Sequence, residues 1–189
     1  DAVVSYMSRS VNQILQSIFE IDAGLADRDV TILDPATGTG TFIVSCTRIA
    51  IDYIRETYGA GAINEFIEGH ILESLFAIEL MFAPYAIAHL KMSMLLQEYG
   101  YEPEERTFRL YLGNTLTSEN IEQMNIPGLI HLTNEARGAE EARRSDLTVV
   151  IGNPPYKGAS RRVAGEPIYS PERIGNQLTH IGHLLRGRD

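Results

Sequence analysis

Hydrophobic positions recur along the chain with two different spacings. Spacings of three and four residues predict amphipathic helices, and short runs of apolar, mostly β-branched residues predict buried strands. Helices are expected over residues 1–20, 41–58, 62–70 and 84–99, and strands over residues 30–34, 72–79, 107–112 and 147–151. Because the strands alternate with helices, the expected fold class is α/β, with a three-layer, doubly wound, mainly parallel sheet. No strand pattern follows residue 151, so we expect the sheet in this chain to be incomplete.

The composition is that of one folded domain. The chain has 189 residues, of which 44% are hydrophobic, and this is enough for a sizeable core. No apolar run reaches the roughly 18 to 20 residues of a membrane helix, and the first ten residues lack the order of a secretory signal, so we expect a cytoplasmic protein without membrane contact. The single cysteine, Cys46, excludes an internal disulfide, and no spacing of Cys and His residues predicts a metal site.

The charge is distributed unevenly. The net charge is -9, which argues against DNA contact along the whole chain, because phosphates are bound mainly by Lys and Arg. Residues 143–189, however, contain eight basic and four acidic residues, a net charge of +4, so residues 1–142 carry -13. Lys157, Arg161 and Arg162 lie in this basic part. They either approach DNA phosphates or form an exposed basic loop, and the sequence leaves both interpretations open.

All four predicted strands end in polar or turn-forming residues. DPATGTG follows the first strand at residues 34–40, Glu79 ends the second, GNT follows the third at residues 113–115, and GNPPY follows the fourth at residues 152–156. In open parallel sheets, ligands bind beyond the carboxyl ends of the strands, near the point where the strand order reverses. These four segments are therefore the candidate binding site.

The first two segments have the chemistry of a nucleotide-like site. Gly38 and Gly40 permit positive backbone torsions, which let a ligand approach main-chain amides at the start of a helix. The dinucleotide motif G-x-G-x-x-G would require glycine at Ile43, and no P-loop lysine follows, so neither standard motif is present. The Glu79 carboxylate is placed to accept both hydroxyls of a ribose, and Leu80 offers an apolar face to the attached base. A turn kept for packing and a solvated glutamate are the alternatives.

The fourth segment combines two hydrogen-bond acceptors with an aromatic ring. Asn153 presents a side-chain oxygen at the strand end, and Pro154 has a free carbonyl and no amide donor. Together they can accept the two hydrogens of an exocyclic amine, while Pro155 stiffens the loop and Tyr156 offers a flat face on which a base can stack. This arrangement suits an aromatic amine. A purely structural Pro-Pro turn is the alternative.

In this order, the segments resemble those of a known family. DPATGTGTF resembles the cofactor motif of the S-adenosylmethionine-dependent DNA methyltransferases that methylate exocyclic amines, and FAIEL, GNTL and NPPY resemble further motifs of that family. NPPY is similar to the catalytic motif of its adenine-specific (N6) branch. The resemblance covers residues 30–156, and the text around the cofactor motif is similar to the methylase segment of large single-chain restriction-modification enzymes. It implies a Rossmann-like methyltransferase fold and methyl transfer from S-adenosylmethionine to adenine in DNA.

Carried over by position, the resemblance implies a set of site residues. The implied cofactor-binding residues are Asp34, Ala36, Thr37, Gly38, Gly40, Phe42, Glu79, Leu80 and Asn114, and the implied catalytic residues are Asn153, Pro154, Pro155 and Tyr156. Asp34 and the turn amides would hold the methionine part of the cofactor, Glu79 the ribose and Leu80 the adenine ring. Asn114 departs from the family, which often has Asp at this position. Tyr156 would stack on a base rotated out of the duplex.

The resemblance also implies how the chain is organised. Residues 1–26 are expected to form an N-terminal helical segment, residues 27–157 the catalytic core, and residues 158–189 a basic loop and the helical start of a truncated C-terminal half. Because aromatic residues of the family's N-terminal motif are absent, we expect a fragment that is inactive alone. The implied partner is double-stranded DNA, bound through a recognition domain outside this chain. The sequence leaves open whether an endonuclease or helicase is linked to it.

Other functions remain open on the residues alone. Methylation of the cytosine amine uses the same acceptors, although that group more often has Ser at the position of Asn153. Methyltransferases that act on RNA or on a protein glutamine amide also contain NPPY. A regulatory module that binds the cofactor without activity is the alternative from another class. His180 and His183 have no assigned role, and no metal is expected.

Overall fold

A four-stranded parallel sheet organises the protein. The computed structural model describes residues 2–102, 108–113, 138, 142 and 147–154, and these residues belong to a compact unit that runs from Asp1 to Pro154. The strands are β1 (Ile32–Asp34), β2 (Leu75–Glu79), β3 (Arg109–Leu112) and β4 (Val149–Val150). Their order in the sheet is β3-β2-β1-β4, and every pair is parallel. The predicted α/β class with a Rossmann-like parallel sheet is confirmed.

Alternate residues of the strands pack into two hydrophobic clusters. Ile32, Leu75 and Ala77 belong to the main core. Leu33, Phe76 and Ile78 belong to a second, smaller cluster. Because successive strand residues point to opposite faces, the clusters lie on the two sides of the sheet. The central strands β1 and β2 are therefore buried on both faces, as is typical of parallel sheets in α/β proteins.

Three long helices cover the face that carries the main core. They are α1 (Ala2–Ser17), α2 (Thr41–Tyr58) and α5 (Phe82–Glu98). The predicted bounds of α2 are confirmed: the helix begins directly after Gly40 and is capped at its end by Gly59, both of which have positive φ angles. Helix α5 begins two residues earlier than predicted, and Pro84 lies in its first turn, where the missing amide is tolerated.

The segment before β2 is helical for longer than predicted. A 3₁₀ turn (Ala60–Ala62), α3 (Ile63–Phe66), a π-helical turn (Ile67–Ile71) and α4 (Leu72–Ser74) follow one another. The prediction of a strand from residue 72 is wrong for its first three residues. Leu72 enters the main core from the last helical turn, and the strand begins at Leu75, where pairing with Ile32 begins.

Helix α1 buries fewer apolar residues than its pattern predicts. Val4 and Leu15 are buried in the main core, but Val3 is 65% exposed. Ile18 and Phe19 lie beyond the end of the helix and are 70% and 65% exposed. In the described part of the chain, α1 packs mainly against α2 and the turn at Gly24–Ala26, so one narrow stripe is enough to dock it. Over the same residues, no helix combines the length and apolar character needed to cross a bilayer.

Candidate functional site

The carboxyl ends of all four strands lie at one edge of the sheet. Parallel pairing aligns Asp34 with Ala77, Glu79 with Leu112, and Leu33 with Val150. The strand order reverses at β1, because β2 lies on one side of β1 and β4 lies on the other. The segments after β1 and β4 therefore leave the sheet next to each other at the switch point, where open α/β sheets bind their ligands.

Glu79 is fixed at this edge from several sides. Its side chain is only 8% exposed. The Gly38 amide donates to Oε2 and the Met81 amide donates to Oε1, each at 2.8 Å. The Gly113 amide donates to the Glu79 carbonyl at 2.9 Å. Because each carboxylate oxygen has two lone pairs, each oxygen has the capacity for a further hydrogen bond.

The two glycines of the turn after β1 serve different purposes. Gly38 has φ +56°, and a Cβ there would meet no atom within 4 Å, so its surface opens away from the protein. Gly40 has φ +79°, and a Cβ there would lie 3.0 Å from the Ala88 Cβ and 3.1 Å from its Cα. Gly38 thus leaves room for a ligand, whereas Gly40 lets α5 pass close to the start of α2.

Several amides of this turn already donate within the protein. The Thr37 amide donates to the Ile78 carbonyl at 3.0 Å, and the Gly40 amide donates to the Thr37 carbonyl at 2.9 Å. Together with the bond from Gly38 to Glu79, these contacts tie the turn to the end of β2. The turn is therefore held in one conformation before any ligand arrives.

Asp34 is enclosed by its own turn. The side chain is 0% exposed; its Oδ1 accepts from the Ala36 amide at 3.2 Å and its Oδ2 accepts from the Thr37 hydroxyl at 3.1 Å. The pKa of Asp34 is raised from 3.8 to about 6: burial raises it most, the two hydrogen bonds oppose this increase, and the nearby Glu79 carboxylate adds to it. In this arrangement the Asp34 carboxylate shapes the turn.

The remaining predicted site residues divide into three groups. Phe42 is buried in the main core on α2, and Ala36 is half-buried in the turn. Leu80 is 61% exposed directly after Glu79, and Asn153 and Pro154 are exposed directly after β4. The other predicted residues lie outside the described residues: Asn114, Pro155, Tyr156, Lys157, Arg161, Arg162, His180 and His183.

Two residues at this edge were missed by the sequence interpretation. Lys91 on α5 donates to the Thr39 hydroxyl at 3.0 Å, which places a cation beside the glycine turn. In sequence it looks like any exposed lysine on a helix. Gly152 packs against Asp34, and its position directly before Asn153 was the only signal. Over the described ranges, no group of three or more His, Cys, Asp or Glu side chains is arranged to hold a metal ion.

These features share one edge of an open α/β sheet, at the switch point where such sheets bind ligands. The edge has an acidic residue at the end of β2, a glycine turn after β1, and exposed hydrogen-bond acceptors after β4. Similarity to known proteins comes from solved structures. No protein-family profile matches the chain, and no curated protein sequence matches it either.

Solved structures of restriction-modification enzymes do match. A nuclease-deletion mutant of the Type ISP restriction-modification enzyme LlaGI, in complex with a DNA substrate mimic, is 30% identical over 82% of this chain, with a TM-score of 0.63. The ATP-dependent Type ISP restriction-modification enzyme LlaBIII, bound to DNA, is 28% identical over 94%, with a TM-score of 0.70. DrdV in a DNA complex is 32% identical over 82%, with a TM-score of 0.59. The chain spans 12% to 13% of the length of these proteins.

Proposed function

We propose that the chain carries the cofactor-binding and catalytic segments of an S-adenosylmethionine-dependent methyltransferase that methylates the N6 amine of adenine in DNA, as part of a restriction-modification enzyme. The observation that carries this proposal is the shared edge. Glu79, the glycine turn and the Asn153–Pro154 acceptors come from three neighbouring strands and meet at the switch point.

The residues at the edge fit the parts of S-adenosylmethionine. Glu79 has the capacity to accept from two ribose hydroxyls, and both of its oxygens are oriented by amides. The exposed Leu80 and Met81 side chains, each 61% exposed, offer apolar surface for an adenine ring. The open side of Gly38 leaves space for a ligand next to Glu79. The expected contact of Asn114 with the adenine amine lies outside the described residues.

Catalysis requires orientation of the target amine. The bound cofactor would supply a methyl group that is already activated by its positive sulfur, so the protein needs no nucleophile of its own. The Asn153 side-chain oxygen and the Pro154 carbonyl would accept the two hydrogens of the amine and orient its nitrogen lone pair. Methylation at a cytosine ring carbon would instead need a cysteine nucleophile, and Cys46 is buried in the main core.

The relatives support DNA as the substrate and a role in restriction-modification. Each of the three structures contains DNA or a DNA mimic, and two are Type ISP restriction-modification enzymes. One is a nuclease-deletion mutant and another is ATP-dependent, which supports a nuclease and an ATP-driven domain linked to this segment. Net charge adds a further argument: residues 1–142 carry -13, so DNA contact is expected mainly through other parts of the full-length protein.

The test is a methyl-transfer assay with the full-length protein. Plasmid DNA is incubated with S-adenosylmethionine that carries a labelled methyl group, and the DNA is digested to nucleosides and analysed by mass spectrometry. We expect N6-methyladenine as the labelled product. N4-methylcytosine would instead identify the cytosine-amine branch. Cofactor binding by calorimetry without transfer to DNA, RNA or protein would favour the regulatory module.

A further inference from the structure

The backbone of Gly152 lies directly against the Asp34 carboxylate. The pairing of β1 with β4 continues to the end of both strands, where the Ile151 amide donates to the Leu33 carbonyl at 3.0 Å. One residue further on, a Cβ at Gly152 would lie 2.5 Å from Asp34 Oδ1 and 3.3 Å from Asp34 Cγ and from Pro35 Cδ. Non-bonded atoms prefer separations of about 3.5 to 4.0 Å, so position 152 has no room for a side chain.

Close packing is the reason for glycine at this position, because Gly152 is not among the residues with a positive φ angle. Asp34 has little freedom to move away from a side chain at 152. Its carboxylate is fully buried and bound on both oxygens, and the Thr37 that binds it is itself tied to the Ile78 carbonyl. A displacement of Asp34 would break bonds that shape the whole turn.

We infer that the contact between Gly152 and Asp34 sets the distance between the glycine turn and Asn153. This inference rests on the proposed function, in which the turn lies beside the cofactor and Asn153 accepts the target amine. Gly152 would touch neither cofactor nor substrate. It is a positioning residue, because it joins the covalent neighbour of Asn153 to the carboxylate on which the turn is built. This backbone-to-side-chain contact thus adds to the pairing of β1 with β4 and sets the spacing of the segments on the two sides of the reaction.

The first test is Gly152→Ala in the full-length protein. The added methyl group pushes residue 152 away from the turn, because the turn has more bonds to resist the push. We expect the methyl-transfer kcat to fall about ten- to hundredfold, since displacements near 1 Å cost up to about a hundredfold. Affinity for S-adenosylmethionine, measured by calorimetry, is expected to change much less. Val150→Ala is the matched control in the same segment, because Val150 is 47% exposed, and it is expected to keep the wild-type kcat.

A double-mutant cycle with Asp34→Ser separates this contact from a general loss of structure. Serine lacks the oxygen that a methyl group at 152 would meet, so Gly152→Ala should cost little in the Asp34→Ser background. The cycle is read both on kcat and on the melting temperature. If the double variant loses kcat by the product of the two single-variant factors, the residues act independently and the inference is overturned. A wild-type kcat for Gly152→Ala would overturn it as well. If the wild-type protein transfers no methyl group, the proposed function fails and the positioning role fails with it. The melting-temperature cycle then still shows whether the contact exists.

Discussion

The Gly38 amide donates a hydrogen bond to the Glu79 carboxylate at 2.8 Å across a separation of 41 residues. The bond joins the turn after β1 to the end of β2. The carboxylate that is proposed to bind the ribose therefore also holds the turn that lies beside it. A ligand at this edge meets a site whose two halves are already connected, which reduces the ordering required on binding.

Replacing the Glu79 carboxylate is expected to weaken cofactor binding. Glu79→Gln keeps the size of the side chain but puts an NH₂ group where one oxygen accepts an amide hydrogen. Hydrogen bonds to charged groups contribute roughly 1.5 to 3 kcal/mol, so we expect the Kd for S-adenosylmethionine to rise about ten- to hundredfold. Calorimetry on the full-length protein measures this change. Glu98→Gln is the control, because Glu98 pairs with Arg48 at the other end of α5. Equal affinities for the two variants would contradict the assignment.

Removing the Asn153 side chain is expected to separate catalysis from binding. Asn153 is exposed, so Asn153→Ala should fold normally. Loss of one preorganised hydrogen-bonding group in an active site typically costs about a hundredfold to a thousandfold in kcat, and we expect a loss of this size in methyl transfer. The cofactor Kd should stay close to wild type. The exposed Asn64 on α3 provides the control Asn64→Ala, which should retain full activity. Near-normal transfer by the Asn153 variant would exclude its role.

The two turn glycines are expected to respond differently to alanine. Gly38, Gly40 and Gly100 all have positive φ angles, and a left-handed conformation costs an L-residue roughly 1 to 2 kcal/mol. Gly40→Ala should lose more than this in urea unfolding, because its Cβ also meets Ala88. Gly38→Ala and Gly100→Ala meet no neighbouring atom and should lose similar, smaller amounts.

The same series tests the open space at Gly38. Its added methyl group enters the region proposed for the cofactor, so Gly38→Ala should lower cofactor affinity at least about tenfold, whereas Gly100→Ala should not. Measuring both variants by calorimetry gives a comparison at matched stability. If the cofactor Kd is the same for Gly38→Ala and Gly100→Ala, the space beside Gly38 does not receive the ligand.

The buried Asp34 carboxyl makes stability depend on pH. Because its pKa is raised from 3.8 to about 6, mainly by burial, the folded protein binds this proton more tightly than the unfolded chain does. The stabilising contribution is full below pH 4 and is lost as the pH rises through 6, and it amounts to about 3 kcal/mol. Urea unfolding of wild type and Asp34→Asn at several pH values should show the difference between their stabilities changing between pH 4 and 7. Parallel curves would show that Asp34 titrates normally.

Local sequence information was sufficient where one element contains all the determining contacts. Helix α2 has the predicted bounds because its apolar spacing and the glycines at both ends, Gly40 and Gly59, act within a few residues. The sequence pattern places residues 72–74 in the segment that runs into β2, beginning at Leu72. That side chain instead enters the core from a helical turn, and β2 begins only where Ile32 is available for pairing. The position of the pairing residue Ile32 therefore determines where β2 begins.

The difference between the two acidic residues of the site was not visible in the sequence. Asp34 and Glu79 both end a strand, and the resemblance assigns both to the cofactor. Only the folded structure shows that Asp34 is fully buried and bound by Ala36 and Thr37 of its own turn, whereas Glu79 keeps 8% exposure and binds the Gly38 amide of the neighbouring turn. The contact of Asp34 with Gly152 was equally invisible, because it joins residues 118 positions apart through the pairing of β1 with β4.

Helix α1 makes the lone thiol of the chain a built-in reporter. The Cys46 sulfur lies 3.7 Å from the Ser8 hydroxyl, beneath α1, and burial raises its pKa to about 11. A buried, neutral thiol reacts with maleimide only through openings that expose it, and detachment of α1 from α2 is one such opening. The alkylation rate under native conditions thus reports how often the core around Cys46 opens, and it does so without a cofactor, DNA or any engineered label.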